Sequence, residues 1–557
     1  MTYNLKCSYL ILLLILFVTL PLFADPFTMV SAGDPLLEDL RAVVRSQGKS
    51  FLSLTPPLSR DEIFSILDEI DPYSLSEPMR MRYERIFENL FPELRYDNEY
   101  FAFAINANAA LEGRYRSNKK VPWLKKDNIS PAVFSFPIHL FFTSLIDLYF
   151  EPMLATDPYY YNNPAASWGT NIPWETVRFD LNIPLRAFAA AGGPWWNFQI
   201  GRDKLSFGPG KTGNLAVSDN PDYYDFARLS FFGKNFKYSF LISQMPLSLE
   251  SRNFWLVDDP ASINTNTDLT DTMNRYFYMH RVDIRLFKRL SIGISEGVMA
   301  GNASLELRYF NPMMIFHSFF SWMDYPTWQN KEDHHMNGSL LSLDIEWAFL
   351  PGWALYGQII MNEFSTPYEK KNFPDQAPSG MGYLLGAEYV HSVSDWTLSW
   401  YTELVYTEPF LYVLSSPFAS MIWMRRSSHI GTKELRYDWF GHKDGRDMFL
   451  AAAGVFAHAE KITLSADLSV KVQGEHHKRS DGINSIVWDW NKDDSDQRSP
   501  SGNPETSVRT LFGLTYKILP ALTLSGHLGG TAVFGAGNKR GNREYGIEAG
   551  LTAAYSF

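Results

Sequence analysis

One stretch gathers charge and glycine. Arg202, Asp203 and Lys204 precede Gly208-Pro209-Gly210, and Lys211 follows it. Guanidinium and ammonium groups beside such a loop suit an acidic ligand, because Arg offers a planar fork to a carboxylate and Lys a point charge. Trp168, Trp174, Trp195, Trp196, Trp322, Trp328 and Tyr159-Tyr160-Tyr161 lie in or beside segments read as loops. Planar rings next to carboxylates and amides suit the faces and hydroxyls of sugars. A membrane-interface girdle or simple loop packing explains any single Trp as well; their number is what points to a saccharide. The expected ligand contacts are Arg202, Asp203, Lys204 and Lys211, with Trp168, Trp174, Trp322 and Trp328 stacking on the sugar.

Other candidate chemistry is weaker. Gly293-Ile294-Ser295-Glu296-Gly297 matches a nucleophile elbow, but that motif needs a sharp strand-to-helix turn, and here it falls inside an alternating run. Gly208 to Thr212 resembles the end of a phosphate loop, yet Leu205 stands where the first glycine belongs. His334-His335 and His476-His477 are adjacent pairs, which point apart on an extended chain and form no two-ligand face. Asp493-Asp494-Ser495-Asp496 lacks the glycine and distal Glu of a dedicated Ca²⁺ loop. No catalytic residue, metal or cofactor is assigned, and the chain reads as a non-enzyme.

The elements that position these residues are strands. In 339–349, Leu341, Leu343, Ile345, Trp347 and Phe349 alternate with Ser342, Asp344, Glu346 and Ala348. In 461–473, Ile462, Leu464, Ala466, Leu468, Val470 and Val472 alternate with Thr463, Ser465, Asp467, Ser469, Lys471 and Gln473. Carboxylates at inward positions mid-strand are costly in a dry core and acceptable in a wet lumen. The final stretch, 543–557, puts Tyr545, Ile547, Ala549, Leu551, Ala553, Tyr555 and Phe557 on one face and small or polar residues on the other. That is the pattern of a lipid-facing closing strand, which must leave no free edge. Tight turns at Gly233-Lys234-Asn235, Lys288-Arg289, Pro351-Gly352, Val393-Ser394, Glu460-Lys461 and Pro520 alternate with long polar or aromatic connections. Bacterial barrels have short periplasmic turns and long outer loops. Asn311-Pro312 reads as a further hairpin turn. Hairpin counting gives roughly 18 to 20 strands. The fold class is an all-β transmembrane barrel of about 18 antiparallel strands with a small N-terminal α-helical bundle.

Residues 1–24 read as a secretory signal peptide: Lys6, an apolar run from Tyr9 to Leu20, and a cut after Ala24, with Leu22 where a small residue is usual. The sole cysteine, Cys7, lies within it, so the mature chain has no disulfide or thiolate chemistry. Residues 25–96 read as a periplasmic bundle of three short helices, and 97–557 as the barrel. Asp34-Pro35 starts the first helix, Ser59 to Glu62 forms a capping box for the second, and Ser76-Glu77-Pro78 starts the third. Aromatic residues make up 15% of the chain, which suits interfacial girdles, while a mean hydropathy of −0.19 excludes a helical membrane protein. The formal charge of −11 gives an exported chain no reason to bind nucleic acid. Expected partners are outer-membrane lipid and lipopolysaccharide, surface polysaccharide, and the barrel-assembly machinery, which would meet the C-terminal strand.

Several blocks resemble the Wzi-type capsule-assembly family of outer-membrane proteins. They are Gly201-Arg202 with Phe207-Gly208-Pro209-Gly210, Leu215 and Ser218-Asp219-Asn220; Tyr309-Phe310-Asn311-Pro312; Asn337 to Asp344 with Leu355-Tyr356-Gly357-Gln358; and Phe440 to Asp447. The resemblance implies an N-terminal helical bundle, a barrel of about 18 strands, and a surface lectin that helps attach capsular polysaccharide. Gly208, Pro209, Gly210, Ser218, Asn220, Asn311 and Pro312 are then structural: the two glycines let a loop fold inward against the wall. The competing function is a porin-like or gated channel for small solutes. A saccharide binder should have a plugged lumen and exposed loop aromatics; a channel should have an open lumen ringed with charge.

Overall fold

The computed structural model describes residues 26–557 except 99, 126–129, 182, 246, 249–271, 302–304, 306, 314, 317–336, 365–367, 369–371, 373–377, 415–417, 430–431 and 477–497. The stretch 1–24 read as a signal peptide, Trp322, Trp328, His334-His335, His477 and Asp493 to Asp496 lie outside the described residues.

Three helices open the described chain. Helix α1 (Pro35–Ser46) is capped by Asp34, whose carboxylate accepts the Leu36 N–H at 2.9 Å, and carries Pro35 in its first turn. Helix α2 (Arg60–Leu67) has the reciprocal capping box of Ser59 and Glu62. Helix α3 (Glu77–Leu90) has no side-chain cap, and the Ser76 hydroxyl bonds instead to that of Ser392 at 2.7 Å. Leu36, Leu40, Val43, Val44, Ile63, Leu67, Met79, Ile86 and Leu90 form one core. No helix among the described residues is long and apolar enough to cross a membrane.

Most of the rest is one large antiparallel sheet of 23 segments. The first eight are β1 (Leu94–Asp97), β2 (Phe101–Ile105), β3 (Asn108–Arg116), β4 (Phe134–Ser135), β5 (Ile138–Phe142), β6 (Ile146–Phe150), β7 (Met153–Leu154) and β8 (Trp168–Thr170). Next come β9 (Ala187–Gly193), β10 (Trp196–Asp203), β11 (Tyr224–Phe232), β12 (Phe236–Gln244), β13 (Arg275–Leu286), β14 (Leu290–Gly301), β15 (Asn337–Leu350) and β16 (Trp353–Glu363). The series ends with β17 (Gly380–Val393), β18 (Trp396–Thr407), β19 (Met448–His458), β20 (Ile462–Gln473), β21 (Glu505–Lys517), β22 (Leu522–Phe534) and β23 (Arg543–Ser556).

From β9 onward each strand pairs with the next. The last, β23, pairs with β3, from Glu548 opposite Arg116 to Ser556 opposite Asn108. The path continues from β2 and β3 to β4 and β5, then to β6 and β7, and β6 pairs with β9. The count of 23 exceeds the roughly 18 to 20 strands expected, largely because the first strands are interrupted. Pro137 and Pro152 have no N–H to give the ladder, so it breaks beside them. Backbone bonds still bridge the breaks: Asn106 N–H donates to Pro137 at 3.0 Å, and Phe136 N–H to Pro152 at 3.0 Å.

Short turns and long connections alternate, and all six expected tight turns join strands. Asn311-Pro312 does not turn a hairpin. It follows a 3-10 turn at Leu307–Phe310 inside the connection between β14 and β15, whose buried Tyr309 stacks on Tyr278 with centroids 4.7 Å apart. The helices sit at the short-turn end, where the Gly352 N–H donates to Arg45 and the Ser50 N–H to Lys288.

The expected faces hold. Tyr545, Ile547, Leu551 and Tyr555 are exposed on β23, while Glu548 is buried. On β15, Leu341, Ile345 and Trp347 are exposed, and Asp344 and Glu346 are buried. The sheet thus turns an apolar face outward and a polar face inward.

Candidate functional site

The inward face is covered by the chain itself. The connection after β10 folds inside, with Leu205, Phe207, Leu215 and Val217 wholly buried. They join Ile360, Leu384 and Val405 of the sheet, and Leu411, Tyr412, Trp439 and Phe440 of the connection after β18, in one apolar cluster. That second connection also carries a hairpin outside the large sheet, Ile422–His429 with Thr432–Trp439. Arg275 on β13 holds its base, donating to the carbonyls of Ser420 at 2.9 Å and Ile422 at 2.7 Å.

Two glycines make the inward turn. Gly208 has φ +130°, and a Cβ there would lie 2.5 Å from Asn214 Oδ1 and 2.6 Å from Gln358 Nε2. At Gly210 a Cβ would lie 2.6 Å from the Gly213 carbonyl. The Gln358 amide donates to the Phe207 carbonyl at 3.1 Å. Ser218 Oγ donates to the Gly441 carbonyl, and the Asn220 amide donates to that of Trp439 at 3.1 Å. These contacts fix the block against the wall and against the connection after β18.

Ion pairs fix this loop to α1 and to the wall. Glu388 on β17 takes Arg41 at 2.8 Å, Arg45 at 3.1 Å and Lys211 at 3.4 Å. Arg41 also donates to the Pro209 carbonyl at 2.8 Å, and Arg45 pairs with Glu346 at 2.8 Å. Glu403 on β18 accepts the Lys211 and Thr212 N–H groups at 2.8 and 2.9 Å and the Tyr356 hydroxyl at 2.9 Å. Such pairs hold register and position more than they add net stability. Helix α1 thus buries its charged face, with Asp39, Arg41 and Arg45, as well as its apolar one, and no local pattern marks that burial.

The sequence-predicted contacts scatter. Asp203 is fully buried, accepting from Ser31 at 2.6 Å and pairing with Arg186 at 2.9 Å. Arg202 forks onto Asp225 at 2.8 and 3.0 Å and stacks on Tyr223, its guanidinium 3.8 Å from the ring centre. Lys204 is half-buried. Lys211 is tied inside, to Glu388 and to Glu38 at 2.8 Å. Trp168 and Trp174 are 73% and 70% exposed at the long-connection end. Trp168 packs on outward-facing Tyr115 at 4.7 Å, the arrangement of an interface girdle, whereas Trp174 projects from its loop. Ser295 of the elbow-like motif lies mid-strand on β14, its Oγ 2.7 Å from that of Ser342.

Beside the plug lies a cavity of about 1050 Å³. Helices α1 and α3 form one side, Lys211, Thr212, Lys443 and Asp444 the plug side, and β18 to β21 the wall. Asp39 faces it, paired with Arg82 at 2.8 Å and Arg85 at 2.6 Å. Burial raises the Asp39 pKa, but the hydrogen bond from Arg85 and the charges of Arg82 and Arg85 outweigh it and hold the carboxyl below its ordinary value. Lys471 pairs with Asp444 at 2.7 Å. Next to them His442 is wholly buried: the Asp444 N–H donates to its Nδ1 at 3.2 Å, and its Nε2 lies 3.2 Å from Thr212 Oγ1. Burial pushes this imidazole down to about 4. Tyr401, Asp467, Ser469 and Arg509 reach the cavity from the wall. No sequence motif marks this lining. Its signal is only the inward half of the alternation in 461–473, which carries Asp467, Ser469 and Lys471.

No protein-family model matches the chain, and no curated protein matches it. Solved structures do. Wzi of Escherichia coli, described as an outer membrane protein involved in group 1 capsule assembly and a carbohydrate-binding β-barrel, superposes with a TM-score of 0.57. The match covers 95% of this chain and 99% of that one at 16% identity. The likeness is one of fold. This chain is built like an outer-membrane β-barrel. OmpT, an outer membrane protein of Vibrio cholerae, gives a TM-score of 0.33 at 8% identity over 84% of this chain and 100% of that one. OccAB4 of Acinetobacter baumannii gives 0.37 at 9% over 81% and 98%.

Proposed function

We propose that this chain is a closed, plugged outer-membrane barrel that binds or organises surface polysaccharide without catalysing a reaction on it. Counting β2 with β3, β4 with β5, and β6 with β7 as single interrupted strands, and leaving aside β1 and β8, the circuit has 18 strands. The outward apolar face then meets lipid and lipopolysaccharide, the helices face the periplasm at the short-turn end, and the exposed β23 face is what assembly machinery would read. The observation that carries the functional reading is the apolar cluster around Phe207, Leu215, Tyr412 and Trp439. A channel gains nothing from filling its bore with wholly buried aromatic and aliphatic side chains, while a binding protein gains a rigid base for its long loops. The carbohydrate binding described for Wzi agrees in kind.

Two measurements test the reading together. Purified protein in planar bilayers should give no large steady openings, and large ones would favour transport instead. On a glycan array the intact protein should retain an acidic polysaccharide. Trp174→Ala should weaken that retention about tenfold, the order expected when a stacking ring is lost, while Trp168→Ala should change it little. Equal retention by wild type and Trp174→Ala would remove that residue from the site.

A further inference from the structure

The cavity beside the plug has more cation than its own carboxylates use. Lys471 pairs with Asp444, Lys211 with Glu38 and Glu388, and Arg82 and Arg85 with Asp39. Lys443 and Arg509 also line it, and neither has an ion pair or hydrogen bond among the described residues. Both act on the same carboxylate as Lys471, that of Asp444, and Lys443 acts on Asp467 as well, so three cations share two carboxylates here. The Asp467 carboxylate nearby accepts the Tyr401 hydroxyl at 2.7 Å. Lys443 is exposed and Arg509 half-exposed, so both charges stay available to an anion that enters.

The same cavity has an aromatic platform, nearer the short-turn end of the strands. Phe456 points inward, between Ser399 on β18 and Ser465 on β20 in the ladder, yet is 38% exposed. It stacks with Tyr401, ring centres 6.3 Å apart. Ser469 and Thr212 add hydroxyls, and Leu511 adds an apolar wall. At about 1050 Å³ the space suits a ligand of one to a few rings. On its short-turn side Arg85 and His458 touch, Nη1 to Nε2 at 2.6 Å. A second cavity of about 540 Å³, between α3 and the turns at Glu460-Lys461 and Pro520, shares Arg82, Arg85 and His458 with the first.

We propose that this cavity binds an acidic saccharide unit, its carboxylate held by Arg509 and Lys443 and its ring face laid on Phe456, and that the unit enters from the periplasmic side by parting Arg85 from His458. The ligand class rests on the polysaccharide reading above; the site does not, since it lies inside the barrel and away from Trp174. The barrel would then engage the acidic polymer on both sides of the membrane.

The test is calorimetric titration of the full-length protein in detergent. The ligands are a hexuronate trisaccharide, its neutral hexose counterpart and inorganic phosphate. The hexuronate should bind at least tenfold more tightly than either. Arg509→Gln combined with Lys443→Gln should weaken it at least tenfold at an unchanged melting temperature, and Arg509→Lys should recover part of the loss. Equal binding of neutral and acidic sugars overturns the proposal, as does a folded double variant with wild-type affinity. Phosphate binding as tightly as hexuronate overturns the saccharide assignment and leaves a general anion site. If hexuronate binding fails while Trp174-dependent retention on the array persists, the interior site alone is wrong. If the reverse holds, the surface reading alone is wrong.

Discussion

Arg45 on α1 and Glu346 in the middle of β15, 301 residues apart in sequence, meet at 2.8 Å with the guanidinium entirely out of solvent. The pair fastens the helices to the sheet, and Glu388 doubles the attachment through Arg45 and Arg41. Breaking a buried pair from one side strands the other charge and costs about 3–5 kcal/mol. Arg45→Met should therefore lower stability by about that much in thermal or urea unfolding in detergent. Adding Glu346→Gln to Arg45→Met should cost less than the sum of the single changes, with a coupling of about 1–3 kcal/mol. Strict additivity would mean that the two residues do not hold each other.

His442 sets an acid limb. In the folded protein burial lowers its pKa to about 4, against about 6.5 when unfolded. Between these values the unfolded chain takes up a proton that the folded chain refuses. Stability should thus be full above about pH 6.5 and fall as pH drops towards 4, by about 3 kcal/mol in total. His442→Gln should flatten this limb in melting curves taken from pH 7.5 to 4. Asp39 acts later and with the sign of a paired carboxylate. Its pKa is held below the ordinary value, so its contribution is present above about pH 4 and is lost only below that. Asp39→Asn should leave the His442 limb in place and reduce the loss at lower pH.

The plug predicts a link between backbone and conductance. Gly208→Ala would drive a Cβ to 2.5 Å from Asn214 Oδ1, with φ held at +130°. A strained position of this kind costs about 1–3 kcal/mol. The loop should loosen, and the variant should show brief channel openings in planar bilayers where the wild type shows none. A silent variant with an unchanged melting temperature would mean that the loop tolerates the side chain and that Gly208 is not its anchor.

Period-two alternation is a local signal, and it placed Lys471, Asp467, Asp344 and Glu548 on the inward face without knowledge of any partner strand. The alternation of turn lengths likewise told the two ends of the strands apart. Pairings across the interior were not legible. That Arg45 meets Glu388 depends on the register of every strand between them, and that Arg509 stands opposite Ser469 depends on a ladder resumed after the long connection from β20 to β21. The charged loop residues misled for a related reason. Arg202, Asp203 and Lys211 look available to a ligand in one dimension, and their counter-charges Asp225, Arg186 and Glu388 appear only once the strands are side by side. The breaks at Pro137 and Pro152 were visible as residues, but that the ladder resumes beyond them was not.

The outward face gives the most direct test of a lipid environment. Leu528 sits mid-strand on β22, opposite Ala549, and is 55% exposed. In water a charge at such a position would be almost neutral, within about 0.5 kcal/mol. At the midplane of a bilayer Arg costs about 2–4 kcal/mol, since the hydrocarbon cannot solvate it. Leu528→Arg should therefore destabilise the protein by that amount when it is folded reversibly into phospholipid vesicles. Thr515→Lys points to the inward face, where it loses only the hydroxyl contact with Ser525 at 3.1 Å, and should cost about 1 kcal/mol or less. Equal costs at the two sites would mean that the exposed face of β22 does not meet lipid, and the assignment of the apolar belt from Tyr545 to Tyr555 would fall with it.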